Sequence, residues 1–187
     1  MDKEFLAVKW QPVIVIALLI SVVLAAGCMD EGISEPPESL SADPVLPGQD
    51  IVLISDVTGD GLEGGAIDTI TFTVALAPGA KSLDVEAISI VYADTIKTET
   101  LIPVEGYWGD PPQAAWGILN VINQVGTSNN RIEDKEQFVI RINPRAYLPA
   151  KRMVVIVVRP SSSTVPLTIR RFAPPAIVAQ GNILTPP

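Results

Sequence analysis

This sequence predicts a mainly β fold: an antiparallel Ig-like β-sandwich preceded by a single hydrophobic N-terminal α-helix. Three observations lead there. Beyond residue 50, apolar and polar side chains alternate with period two in run after run. Gly, Pro and Asn interrupt those runs. No long amphipathic helical pattern follows residue 28. The 187 residues divide into a hydrophobic segment, 1–28, an acidic Pro-rich linker, 29–49, and a body, 50–187, long enough to bury its own core.

The first segment opens with Lys3 and Lys9, then Trp10 and Pro12, and the run from Val13 to Ala26 is uncharged. As a helix that run would extend about 21 Å at ~1.5 Å per residue, short of the ~30 Å hydrocarbon core of a membrane. Leu6 to Val8 and Trp10 lengthen it if Lys9 snorkels to the interface. Pro12 suits a first helical turn, where its missing N–H costs little. The same length suits the apolar part of a secretory signal. "LAAGC", ending at Cys28, resembles the lipobox of bacterial-type lipoproteins, although Leu24 stands one place early. Three fates stay open: a retained helix packing through Val13, Ile14, Ile16, Leu18, Leu19, Val22 and Val23, lipidation of Cys28, or simple cleavage. All three carry the body out of the cytoplasm.

The linker holds five acidic residues, four prolines and no base. Prolines stiffen such a segment and like charges extend it; a tail with no further role has the same composition. The strands follow. "DIVLISDV" is a short β-rich run. In "DTITFTVALAPG", Ile70, Phe72, Val74 and Leu76 face one way, and Pro78-Gly79 turns the chain. "SLDVEAISIVYAD" places Ile88, Ile90 and Tyr92 on one face, and "IKTETLIPV" can pair back onto it. "GYWGDPPQAAW" is too rich in breakers for a regular element. "WGILNVINQVG" is a candidate strand and "TSNNRIEDKE" a loop. "QFVIRINP", "KRMVVIVVRP" and "VPLTIRRF" bring the expected total to seven or eight strands. "MVVIVV" is apolar on both faces and belongs in a sheet interior, because an exposed edge of that kind aggregates.

Composition removes several functions. There is no histidine, so the usual catalytic triads and His metal sites are excluded. The single cysteine forms no internal disulfide or zinc cluster. A net charge of -8 argues against nucleic acid as a partner. Ser161 to Ser163 read as a polar turn, and Glu133-Asp134 as an exposed loop. Trp108 and Trp116 flank a Pro-rich stretch and suit core or interface anchors better than a sugar platform. Catalysis therefore has little support, and no cofactor is expected beyond one candidate cation site. "DVTGDGLEGGAID" partly matches a calcium loop, with Asp56, Asp60, Glu63 and Asp68 as oxygen donors and Gly61 at the sharp turn. Ile67 stands at its twelfth position, where a bidentate carboxylate is required. A glycine-rich β-turn with solvated carboxylates fits the same residues.

Charge is unevenly placed. Residues 29–110 hold sixteen acidic and two basic side chains, whereas 131–171 hold nine basic and three acidic. One subunit's basic half could be steered onto a neighbour's acidic half in an open head-to-tail contact. Alternatively, the two halves interleave in one sandwich and neutralise locally.

The order of motifs carries a family resemblance. The apolar N-terminal segment, "ITFTVALAPGAKSLDVEAISIVY", "NNRIEDKEQFVIRI", "VVIVVRP" and the tail "IRRFAPP" together resemble an archaellin, the archaeal flagellin subunit. "MDKEFLAVKWQP" differs from archaellin precursors, which are cut after a basic residue and glycine. The resemblance implies a structural subunit of an archaeal flagellum or related surface filament. Its N-terminal helices would bundle in a core with β-sandwiches outside, and its partners would be copies of itself or related subunits. It would be membrane-anchored before assembly and extracellular afterwards. A lipid- or helix-anchored adaptor or binding protein of the cell envelope is the alternative.

Overall fold

Strands form where Ile, Val and Thr are densest, and the computed structural model describes residues 44–62, 65–127 and 129–187. The hydrophobic segment, Cys28 and most of the linker lie outside the described residues. Thirteen strands lie among the described residues: β1 (Ile51–Leu53), β2 (Val57–Gly61), β3 (Ala66–Leu76), β4 (Leu83–Asp84), β5 (Ile88–Ala93), β6 (Thr98–Trp108), β7 (Ala115–Ile122), β8 (Arg131–Ile132), β9 (Gln137–Asn143), β10 (Leu148–Pro149), β11 (Met153–Pro160), β12 (Leu167–Phe172) and β13 (Asn182–Leu184). The helical content of the described residues is one 3₁₀ turn, Val85–Ala87, capped by the Asp84 carboxylate, which accepts from the Glu86 N–H.

The main path runs β12-β11-β5-β6-β7-β9-β3-β2-β13, with β1 and β10 also pairing β3. Its two ends meet. Phe172 and Thr185 exchange backbone hydrogen bonds of 2.8 and 3.0 Å, so the ladder returns to β12. Closure of this kind shields strand edges from other chains. Inward side chains of both halves share one core, including Phe72, Ile90, Tyr92, Trp116, Phe138, Ile156 and Ile169. β11 lies between β12 and β5, as its two apolar faces require. Val154, Ile156 and Val158 are buried, while Val155 and Val157 form a half-buried outer stripe.

Two expectations are corrected. The pairing is not wholly antiparallel, because β6 and β7 run parallel. β6 begins in one sheet, opposite β5, and ends in the other, beside β7. Parallel neighbours ordinarily need a crossover of a dozen or more residues. Here a bulge shortens it: Pro103 faces Trp116, the next pair is Trp108 with Ile118, and Val104 to Tyr107 lie unmatched between them. Left-handed backbone at Gly106 (φ 70°) and Tyr107 (φ 69°) turns that bulge. Second, "GYW" is therefore the end of a strand, because the Gly109 N–H donates to Ile118 O at 2.9 Å across the breakers. The glycine-rich stretch after Asp56 is a hairpin, which accommodates the glycine-rich turn read from the sequence. Thr58, Gly59 and Asp60 pair with Thr71, Ile70 and Thr69. Register slips beyond Asp60, so Asp68 is the extra residue of a β-bulge.

Candidate functional site

β9 alternates Phe138, Ile140 and Ile142 inward with Val139, Arg141 and Asn143 outward. Alternation thus puts a guanidinium in the middle of an outer sheet face, opposite Thr71 of β3. Arg141 reaches in three directions. Its Nε donates to Thr71 Oγ1 at 3.1 Å, one terminal nitrogen meets Asp110 at 3.0 Å, and the other meets Asp60 at 3.4 Å. Asp60 also accepts from the Gly181 N–H at 2.9 Å, which ties in the C-terminal tail. Asn182, buried beside it, donates to Gly59 O and Val178 O and accepts from the Val178 N–H. One cation therefore joins β9, β3, β2 and the β6–β7 crossover.

The described carboxylates of the candidate cation loop are placed apart in role. Asp56 is exposed between β1 and β2, Asp60 is ion-paired to Arg141, Asp68 occupies the bulge of β3, and Glu63 lies outside the described residues. Among the described residues no group of three or more His, Cys, Asp or Glu gathers closely enough to hold a metal. The helix-packing residues from Val13 to Val23, and Cys28, likewise lie outside the described residues.

The serine cluster builds a turn. Ser162 donates to Asp50 at 2.9 Å, and Ser163 Oγ accepts the Asp50 N–H and lies 2.8 Å from Val165 O. Thr164 adds a contact to Gly48 O at 3.2 Å, so the β11–β12 turn staples the start of the body. Trp116 is fully buried. Trp108 stays at the surface, its indole N–H on Asn130 at 3.0 Å and its ring tilted against Phe138.

The charged halves do interleave, since β3 lies between β2 and β9 and β5 between β6 and β11. Three ion pairs join them among the described residues: Arg141 with Asp60, Arg141 with Asp110, and Arg145 with Glu99. Local neutralisation is thus partial. Arg159 and Arg170 remain exposed and make no ion pair among the described residues.

Sequence reading missed Arg141, Glu99 and Glu136 as organising charges. The outward position of Arg141 was legible in the alternation of "QFVIRINP", but its partners come from segments 31, 70 and 81 residues away.

The domain is a closed ring of strands with one long strand shared between two sheets, and its fold resembles that of archaeal flagellins. The crystal structure of archaeal flagellin FlaB1 from Methanocaldococcus jannaschii matches with TM-score 0.56 and 17% identity, over 72% of this chain and 95% of that one. A subunit of the archaeal flagellum of Methanospirillum hungatei strain JF1 matches with TM-score 0.51 and 15% identity, over 91% of this chain and 92% of that one. A weaker likeness, TM-score 0.41 at 10% identity over 60% of this chain and 91% of that one, is to the archaellum periplasmic stator protein FlaG from Sulfolobus acidocaldarius. No protein-family model matches the chain, and no curated protein sequence does.

Proposed function

We propose that the chain is a structural subunit of an archaellum or a related surface filament, exported and then polymerised. The apolar segment 1–28 forms the filament core, and the β-domain forms its outer layer. One observation carries this reading: the likeness to the Methanospirillum hungatei flagellum subunit extends over nine-tenths of both chains. Composition agrees, since a chain without histidine lacks the commonest general base and the serines are engaged in a turn. An uncharged helix core and a weakly adhering β-layer would suit a polymer whose cohesion lies at its axis.

Shearing surface filaments from native cells and identifying their subunits by mass spectrometry tests the proposal. The chain is expected in the sheared filaments, with antibodies against the β-domain decorating their length. Recovery only from membranes, with an acyl chain on Cys28, would instead make it an envelope adaptor.

A further inference from the structure

The two outer faces of the domain differ in charge and in texture. The outward positions of β12, β11, β5 and β6 make a grid: Thr168, Val157, Val91 and Thr100 form one row, and Arg170, Val155, Ala93 and Thr98 the next. Arg159 and Ser89 sit beyond one end, next to Ile102, which is 64% exposed. Valines fill the centre, threonines flank them, and the charged members are the arginines Arg159 and Arg170. The carboxylates of these strands lie outside that grid: Glu99 pairs with Tyr92 in register and is ion-paired to Arg145, and Glu105 is exposed on the unmatched stretch of β6 beside β7. The opposite face, formed by β9, β3 and β2, carries Thr58, Thr69 and Thr71 with Asp60 and Asp68. There Arg141 is already bound to Asp60 and Asp110.

We infer that the Val91–Val155–Val157 face of one copy docks on the Asp60–Asp68 face of a second copy, an open head-to-tail contact. This deepens the filament reading and rests on it. Complementary charge selects the partner face: two arginines that make no ion pair among the described residues meet a face with surplus carboxylate, whereas two copies of either face would repel. A valine–threonine surface also fits a threonine-rich sheet, with little polar desolvation. Contact area sets the strength. Four strands ~4.8 Å apart and five residues long at ~3.3 Å each cover on the order of 300 Å². A stable interface takes about 800 Å² from each partner. The contact therefore forms only between copies already held together along a filament, where effective concentration replaces area.

The test is charge reversal with rescue, using full-length chains expressed in native cells lacking the wild-type copy. One variant carries Arg159→Glu and Arg170→Glu, the other Asp68→Lys and Thr69→Lys. Matching thermal melts of each purified variant and the wild type establish folding. Each variant alone is expected to lower the yield of sheared filaments about tenfold, like-charge opposition being costly. Co-expression is expected to restore it, because each variant then offers the complement of the other's altered face. Wild-type yield from either single variant overturns the inference and leaves the filament reading intact. Loss without rescue also overturns it, because the basic face then serves another partner. Absence of the wild-type chain from filaments sinks both readings.

Discussion

Glu136 is 3% exposed, yet its carboxylate faces backbone donors. It accepts from the Val125 N–H at 2.8 Å and the Glu133 N–H at 3.0 Å, closing the loop between β7 and β9. Glu136→Ala would leave two backbone donors without their acceptor, at about 1–3 kcal/mol. The expected outcome is a lower melting temperature and faster proteolysis between residues 123 and 136, with Glu136→Gln in between. Thermal melts and limited digestion read both.

Tyr92 offers a pH signature. Its ring is buried in the core, its hydroxyl lies 3.4 Å from an Asp94 carboxylate oxygen, and burial followed by that charge pushes its pKa well up. The neutral phenol is the form the fold favours. Its contribution is therefore fully present below the unfolded tyrosine value of about 10 and is lost as pH rises beyond it. The wild type should lose stability steeply above about pH 10, and Tyr92→Phe should lose less over the same interval. At neutral pH Tyr92→Phe should cost no more than about 1 kcal/mol, the hydrogen bond being long. Urea unfolding at pH 7, 9 and 11 separates the two; parallel pH profiles would contradict the assignment.

Among the elements, the β6–β7 crossover is the most constrained. Gly117 lies opposite the unmatched bulge, and a Cβ there would run into the Gly109 carbonyl oxygen and crowd Val104. Neither backbone can retreat without breaking the Gly109 N–H bond to Ile118. Gly117→Ala should destabilise the domain by about 1–3 kcal/mol through overpacking. An unchanged denaturation midpoint would show that the crossover yields. The prolines that make "GDPPQAAW" look irregular are what let β6 change sheets. Pro111 O accepts from Asn143 at 3.0 Å, and the Ala114 N–H bonds the Asn143 carbonyl, so the breakers dock on the end of β9.

For the molecule as a whole, the pattern of charge matters more than its sum. A net charge of -8 keeps free chains apart, while the arginine-bearing face and the aspartate-bearing face attract. Screening acts on both at a Debye length of ~8 Å in physiological salt. If the faces meet as inferred, sheared filaments should fall apart more readily in about 1 M salt, where that length shrinks to ~3 Å, than at about 0.15 M. Sedimentation at the two ionic strengths measures this, and identical pelleting would count against charge as the outer glue.

Most of the body's architecture was legible along the chain. Alternation in "ITFTVAL", "ISIVY" and "QFVIRI" marked which residues face inward, and Phe72, Tyr92 and Ile140 are buried accordingly. A period-two pattern is local, set by the pleat of each strand, so it survives reading one segment at a time. What only the tertiary structure decided was non-local: the parallel β6–β7 pair, the Phe172–Thr185 closure, and the choice of Asp60 as an ion-pair partner rather than a free carboxylate. Each depends on segments tens of residues apart meeting in one register, and composition carries no record of that register.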